Sequence, residues 1–284
     1  MSILHYIKIS KPLDFDLLCQ TIEAKVSHVA YEQRAENLCY FWIHGASTRG
    51  VDLTIEEPLW LELRNTACAN HADYELTNQL AETICNLCHG QVYKDNDDYD
   101  EELEDASEEY LETPMPLFDE AQMHNKFLSD AKLIRTLVNH SGDPMTLFGP
   151  IREVNIGRNL LEKMSRHQPD EQFSENLHRK ILEINYHLPD YEYGNLLQSN
   201  GDSENPKILK LITNLTPCII KKYDFILFEK NEKLIAITND HLNTILPQDW
   251  QLVDEYTIVA PIIGDLEFQK LLDKAERFNQ IDNL

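Results

Sequence analysis

The chain has 284 residues and a formal net charge of −24, from 49 acidic and 25 basic side chains. A chain of this length can bury the cores of two domains without metals or disulfides. So large a negative charge repels nucleic-acid phosphates and anionic lipid, which argues against direct DNA or RNA binding and favours a basic partner. The longest apolar stretches are strand-sized, far short of the roughly 20 residues that a membrane-spanning helix needs.

The N-terminal residues also bear on location. Residues 1–15 show no basic region ahead of an apolar core and no small-residue cleavage site, so we predict a cytoplasmic protein. In a reducing compartment the six cysteines are expected to be free thiols that pack as small apolar side chains.

The residues ahead of 95 predict an α+β domain. A β-branched run at 3–9 predicts the first strand, and Asp14 is a suitable N-cap for the helix that follows. A second helix is expected to begin near Asn70, with Asp73 completing a capping box, and to end at Gly90. Further strands are predicted at 28–33, 38–44, 51–56, 59–64 and 91–93. This order indicates a largely antiparallel sheet with packed helices.

One short segment then carries almost half of the excess charge. Residues 95–112 read DNDDYDEELEDASEEYLE and contain eleven carboxylates with no Lys or Arg. Such a run stays solvated, because it holds too little apolar surface to offset the entropy lost on ordering. We interpret residues 95–118 as an acidic linker or partner-binding segment, which joins an N-terminal domain at 1–94 to a C-terminal domain at 119–284.

The residues after the linker predict a second α+β domain with a mixture of strands and helices. Helices are predicted at 119–139, 158–167, 170–187, 240–246 and 265–279. Strands are predicted at 145–148, 151–156, 207–212, 223–229, 233–238 and 256–261. The residues 230–232 are expected to form a hairpin turn, and 198–205 a polar loop.

Two overlapping cysteine and histidine patterns could hold a cofactor. Cys85, Cys88 and His89 spell the pattern of covalent haem attachment, but that chemistry follows export and the sequence shows no export signal. Cys68 and His71 could complete a zinc set with the two later cysteines. In one continuous helix, however, the two pairs would lie about 25 Å apart at 1.5 Å per residue. We therefore predict no metal and no cofactor.

Familiar catalytic motifs are missing from the sequence. It contains no nucleophile elbow, zinc-protease helix, Walker loop or dinucleotide-binding glycine pattern, and the acidic run lacks the spacing of a calcium-binding EF-hand. The loop 44–49, with a histidine, two hydroxyls and an arginine, could bind an anion or relay a proton. The glycines and arginines of 149–152 and 157–158 could form an anion site. The simpler interpretation of both is a turn whose polar groups form hydrogen bonds within the protein.

We therefore expect a protein-binding function. The acidic profile without leader or catalytic motif is similar to that of bacterial immunity proteins, and this likeness implies an inhibitor of a basic protein such as a toxin, possibly a nuclease. The expected contacts are six acids that steer the partner and two tyrosines that anchor it. They are Asp97, Asp98, Asp100, Glu101, Glu102 and Glu104, with Tyr99 and Tyr110.

Two other functional classes stay open from the sequence. One is a hydrolase-type enzyme with an acid-base site between the two domains, for which a buried histidine or carboxylate in a cleft would be the sign. The other is an adaptor subunit of a larger assembly, for which a broad exposed apolar patch would be the sign. An enzyme is less expected than a binding protein.

Overall fold

The computed structural model describes residues 2–94, 111–165, 168–194, 196–198 and 206–283. Within these ranges, helices pack on sheets whose strand pairs are antiparallel with one exception among the registers described. The predicted α+β class is therefore confirmed. None of the helices in these ranges combines the length and the apolar character that a bilayer crossing requires.

Contacts divide the chain into two compact units. The first comprises Met1–Val154 with Leu161–His187, and the second comprises Asn155–Leu160 with Leu188–Leu284. The predicted domains, 1–94 and 119–284, are segments expected to fold independently, whereas this division reflects contacts alone. The two differ, and the domain boundaries stay a prediction.

The first unit contains a seven-stranded antiparallel sheet. Its strands are β1 (Ile3–Lys8), β2 (Val29–Ala35), β3 (Leu38–Ile43), β4 (Val51–Glu57), β5 (Trp60–Asn65), β6 (Gln91–Lys94) and β7 (Leu111–Glu112). In space they follow the order β2-β3-β4-β5-β1-β6-β7. The first six begin and end within two residues of the predicted positions, while β7 was not predicted.

Two helices of this unit, α1 (Phe15–Lys25) and α2 (His71–Cys88), bury their apolar sides against the sheet core. Asn70 caps α2 and forms the predicted capping box with Asp73. As predicted, Gly90 takes the C′ position after the C-cap residue His89, although it is His89 that adopts the left-handed conformation, with φ 50°. Gly90 instead allows close approach to β1, since a Cβ there would lie 3.1 Å from Ile7.

The rest of the first unit is mainly helical. It contains α3 (Glu120–Ser141), β8 (Met145–Phe148) and α5 (Asp170–Leu182), which continues into a π-helical turn at Glu183–His187. Between them, β9 (Glu153–Ile156) and α4 (Arg158–Ser165) span the residues where the two units divide. Asp119 caps α3 and forms a capping box with Gln122, so the predicted start of this helix is correct.

Among its described residues, the second unit contains two smaller sheets and two α-helices. The four-stranded sheet follows the order β10 (Leu196–Gln198), β11 (Ile208–Ile212), β13 (Phe225–Lys230) and β14 (Lys233–Ile237), with β11 and β13 parallel. The other sheet consists of β12 (Cys218–Ile220), β16 (Ile258–Ala260) and β15 (Gln251–Leu252). The helices are α6 (Asn239–Ile245) and α7 (Asp265–Ala275).

The predicted hairpin of this unit has a two-residue turn. Asn231 and Glu232, both at positive φ, connect the paired residues Lys230 and Lys233, as a tight hairpin requires. Three short strands, β10, β12 and β15, were not predicted. Residues 199–205 of the predicted polar loop lie outside the described residues.

Candidate functional site

The two ends of the acidic run are fixed in the seven-stranded sheet. Tyr93 pairs with Glu112 and Lys94 with Leu111, which makes β6 and β7 adjacent antiparallel strands. The intervening residues therefore connect two neighbouring strands at the edge of one sheet. The eight predicted contacts, Asp97, Asp98, Tyr99, Asp100, Glu101, Glu102, Glu104 and Tyr110, lie outside the described residues.

A groove of about 580 Å³ begins three residues after β7, between α2 and residues 115–123. We call it the α2 groove. Four carboxylates line it, from Glu75, Glu82, Asp119 and Glu120. Its apolar surface comes from Met115, Pro116, Phe118 and Met123. We call these four apolar residues the floor of the groove and the four carboxylates its rim. Neither Lys nor Arg is among the lining residues, so the groove is apolar and negatively charged.

Hydrogen bonds and ring contacts join Phe118, in the floor of the α2 groove, to α2 and to β1. The Asn78 side chain donates from Nδ2 to the carbonyl of Phe118 at 3.0 Å and accepts from its N–H at 3.1 Å. The Phe118 ring packs on Tyr74 with centroids 4.6 Å apart and edge-on against His5 at 5.1 Å. Burial, with a smaller contribution from Lys94, lowers the pKa of His5 to about 4. The imidazole beneath the groove is therefore neutral near pH 7.

The four rim carboxylates differ in how they are engaged. Asp119 accepts the N–H of Gln122 at 2.8 Å as the cap of α3, and Glu120 lies 2.9 Å from the ring of His71. Glu75 and Glu82 are exposed, and neither forms an ion pair within the described part of the chain. They stand seven residues apart, so they share one face of α2 with about 10 Å between them along its axis.

The loop 44–50 is locked to α2 by the fully buried Asp73. Its carboxylate accepts the N–H of Asn70 at 3.0 Å and the N–H groups of residues 48–50 at 3.2, 2.9 and 2.8 Å. Burial raises the pKa of Asp73, while the N–H donors act in the opposite direction. A carboxylate with this many fixed donors holds backbone in place, so Asp73 positions the loop.

Three other side chains of that loop make structural contacts, whereas the buried Nε of Arg49 has no hydrogen-bond partner among the described residues. The hydroxyl of Thr48 lies 2.6 Å from the carbonyl of Cys68 and donates to it. The hydroxyl of Ser47 accepts the N–H of Ile43 at 2.8 Å. His44 packs edge-on against Tyr186 at 5.2 Å between ring centroids. These contacts favour a structural role for Ser47, Thr48 and His44 over a proton relay.

The cysteine and histidine patterns are held apart by α2. This helix is continuous from His71 to Cys88, so the two proposed ligand pairs lie at its opposite ends, as expected. Burial raises the pKa of the thiol of Cys68 and raises that of Cys85 to about 11. Across the described ranges, no group of three or more His, Cys, Asp or Glu side chains is arranged to hold a metal ion.

In the two turns at 149–152 and 157–160, side-chain oxygens of the protein accept the backbone N–H groups that could otherwise bind an anion. The Asn185 Oδ1 accepts the N–H groups of Ile151 and Arg152, both at 3.0 Å. A Glu255 carboxylate oxygen accepts the N–H of Leu160 at 3.4 Å in the first turn of α4. An external anion would have to displace these groups, so the turns are structural.

One unusual residue was not predicted. Lys210, in β11, is only 2% exposed, and burial lowers its pKa. A Cβ at Gly194 would lie 2.2 Å from its Nζ, so the glycine makes room for the ammonium group. The only signal in the sequence was a single lysine within the apolar run ILKLI, which also fits a half-exposed strand.

Comparisons with known proteins found no match: no protein-family model, no curated protein and no solved structure corresponds to this chain. Function can therefore be inferred only from the residues and their geometry.

Proposed function

We propose that this protein is a cytoplasmic inhibitor that binds a basic protein through its acidic run, in the manner of an immunity protein that neutralises a toxin, possibly a nuclease. The observation that carries the proposal is the position of the run. Ten of the eleven carboxylates in residues 95–112 lie in the chain between two paired strands at the edge of a sheet, and the eleventh, Glu112, is in the second of these strands. A concentrated negative field of this kind accelerates encounter with a basic partner.

The paired flanks add a physical reason for recognition. Because β6 and β7 are paired, the run begins and ends at neighbouring strands on one edge of the sheet. Steering charges raise the association rate more than they raise affinity, so a stable complex also needs buried anchors. Tyr99 and Tyr110 are the proposed anchors within the run.

The test has two stages. The intact protein is first used to capture partners from its own cell lysate at low and high salt, and a basic protein retained in stoichiometric amount is identified and purified. Association kinetics are then measured for the wild type and for a variant with six neutralised acids. The substitutions are Asp97→Asn, Asp98→Asn, Asp100→Asn, Glu101→Gln, Glu102→Gln and Glu104→Gln.

A matched control removes the same number of charges elsewhere. It carries substitutions at six exposed acids on other elements: Asp16→Asn, Glu23→Gln, Glu171→Gln, Glu175→Gln, Glu229→Gln and Asp240→Asn. We expect the run variant to associate at least about tenfold more slowly at low salt, with a flatter salt dependence, and the control to change much less. An unchanged association rate for the run variant, or capture of no basic protein, would reject the proposal.

A further inference from the structure

We infer that the α2 groove binds a basic amphipathic helix of the partner protein. The inference rests on the proposed function, because it takes the partner to be a basic protein. It adds a second contact, one that buries apolar surface, beside the steering charges of the acidic run.

The first argument is the chemistry of the groove floor. Met115 is 40% exposed, while Phe118 and Met123, which also line the groove, are almost completely buried. Methionine side chains adapt to the shape of an apolar ligand and recur where proteins receive amphipathic helices. The volume of about 580 Å³ is within the range of clefts that bind ligands.

The second argument is charge complementarity at the rim. Glu75 and Glu82 form no ion pair within the described ranges and face the same side of α2. Their separation of about 10 Å along the helix axis equals the separation of residues i and i+7 of another helix lying alongside. A ligand helix with Lys or Arg at those two positions can pair with both carboxylates while its apolar face covers Met115.

Other occupants fit less well. A divalent cation needs oxygen ligands within about 2.6 Å, and two carboxylates about 10 Å apart along a helix cannot share one ion. A second copy of this chain carries the same formal charge of −24 and the same acidic rim, so the two copies repel each other. A basic amphipathic helix can cover the apolar floor with its apolar face and pair its basic side chains with the carboxylates of the rim.

The binding test uses the full chain and a synthetic probe. The probe is a fluorescein-labelled 18-residue peptide with leucines along one helical face and lysines spaced seven residues apart beside it. Fluorescence anisotropy gives its dissociation constant for the wild type and for the Glu75→Gln/Glu82→Gln variant. The matched control is Asp16→Asn/Glu23→Gln, which removes two exposed acids with the same spacing from α1.

We expect the groove double variant to weaken peptide binding by about tenfold, and the control to change it by less than about twofold. Met115→Gln, at an exposed side chain, is expected to weaken binding by about threefold or more because it makes the floor polar. A peptide of the same composition with its lysines spread around the helix should bind more weakly than the probe. If the control and groove variants lose the same amount of peptide affinity, the effect is general charge attraction and the inference is overturned. Failure of the wild type to bind the probe would also overturn it.

Kinetics with the captured partner separate this inference from the proposed function. If the Glu75→Gln/Glu82→Gln variant leaves the dissociation rate unchanged while the run variant still slows association, the groove inference is wrong and the proposed function stands. Faster dissociation of the groove variant supports the groove as a contact. If the run variant has no effect on a partner that the groove variant releases, the run is the wrong site.

Discussion

The Asn78 side chain binds the backbone of Phe118 at both its carbonyl and its N–H, at 3.0 and 3.1 Å. Asn78 lies in α2, whereas Phe118 follows β7 at the far end of the acidic run. One amide therefore joins the helix that carries the groove rim to the segment that forms the groove floor, and this contact can be tested directly.

Replacing Asn78 by Ala leaves the buried N–H and C=O of Phe118 without partners. We expect the free energy of unfolding to fall by about 2–4 kcal/mol, because each unsatisfied buried group costs about 1–3 kcal/mol. Urea denaturation measures the change. Asn86→Ala, at an exposed position of the same helix, is the control and should cost no more than about 0.5 kcal/mol. Similar losses in both variants would mean that the bidentate contact contributes little.

Asp73→Asn should destabilise the first unit strongly although the side chain keeps its size. The new amide group cannot accept the backbone N–H groups of residues 48–50 as the carboxylate does. We expect a loss of about 2–4 kcal/mol in the free energy of unfolding. Glu75→Gln makes the same chemical change on the exposed face of α2 and should be nearly neutral for stability. A neutral Asp73→Asn variant would show that the loop does not depend on this carboxylate.

His5 should make stability depend on pH in the acidic range. Its pKa is about 4 in the folded protein and about 6.5 in the unfolded chain, so on acidification the unfolded chain takes up the proton first. The stabilisation is therefore fully present above pH 6.5 and is lost as the pH falls from about 6.5 to about 4. Linkage gives a total of about 3 kcal/mol.

The measurement for His5 compares urea denaturation of the wild type and of His5→Leu between pH 4 and pH 7.5. The difference in free energy of unfolding between the two proteins should change steadily over this interval, since only the wild type has this titrating group. Parallel curves for the two proteins would assign the pH dependence to other groups.

Gly149→Ala tests the packing around Asn185. A Cβ at position 149 would lie 2.4 Å from the Asn185 amide, which three hydrogen bonds hold in place, including one to the carbonyl of Ile181. We expect thermal and urea denaturation to show a loss of about 1–3 kcal/mol, as for other overpacked sites. Gly264→Ala is the control, because nothing lies within 4 Å of a Cβ there and its φ of −62° suits alanine. Equal stabilities would mean that the Asn185 side chain moves at little cost.

Local signals explain which parts of the fold could be predicted. The start of α2 was predicted correctly from the capping box of Asn70 and Asp73. The start of α3 was predicted from its apolar periodicity, and in the structure Asp119 and Gln122 form a capping box there as well. Strand β7 was missed because Leu111 lies among carboxylates, and its pairing with Lys94 depends on a strand on the far side of the run. Nothing in the local pattern marks two residues in such a run as a strand.

The α2 groove was missed for a similar reason. Glu75 and Glu82 have the spacing of an ordinary solvated helix face. The groove forms where Met115 and Phe118, some 40 positions away in the sequence, lie beside that face, with Phe118 bound by Asn78. Long-range contacts of this kind have no local signature, whereas the net charge and the acidic run are visible in the sequence itself.

The pairing of β6 with β7 affects how the length and sequence of the acidic run can change in evolution. Since Lys94 and Leu111 are paired neighbours in the sheet, the residues between them can be shortened, lengthened or replaced at little cost in loop-closure entropy. Under the proposed function, a change of sequence in this one segment would therefore alter the choice of partner while the paired strands stay the same.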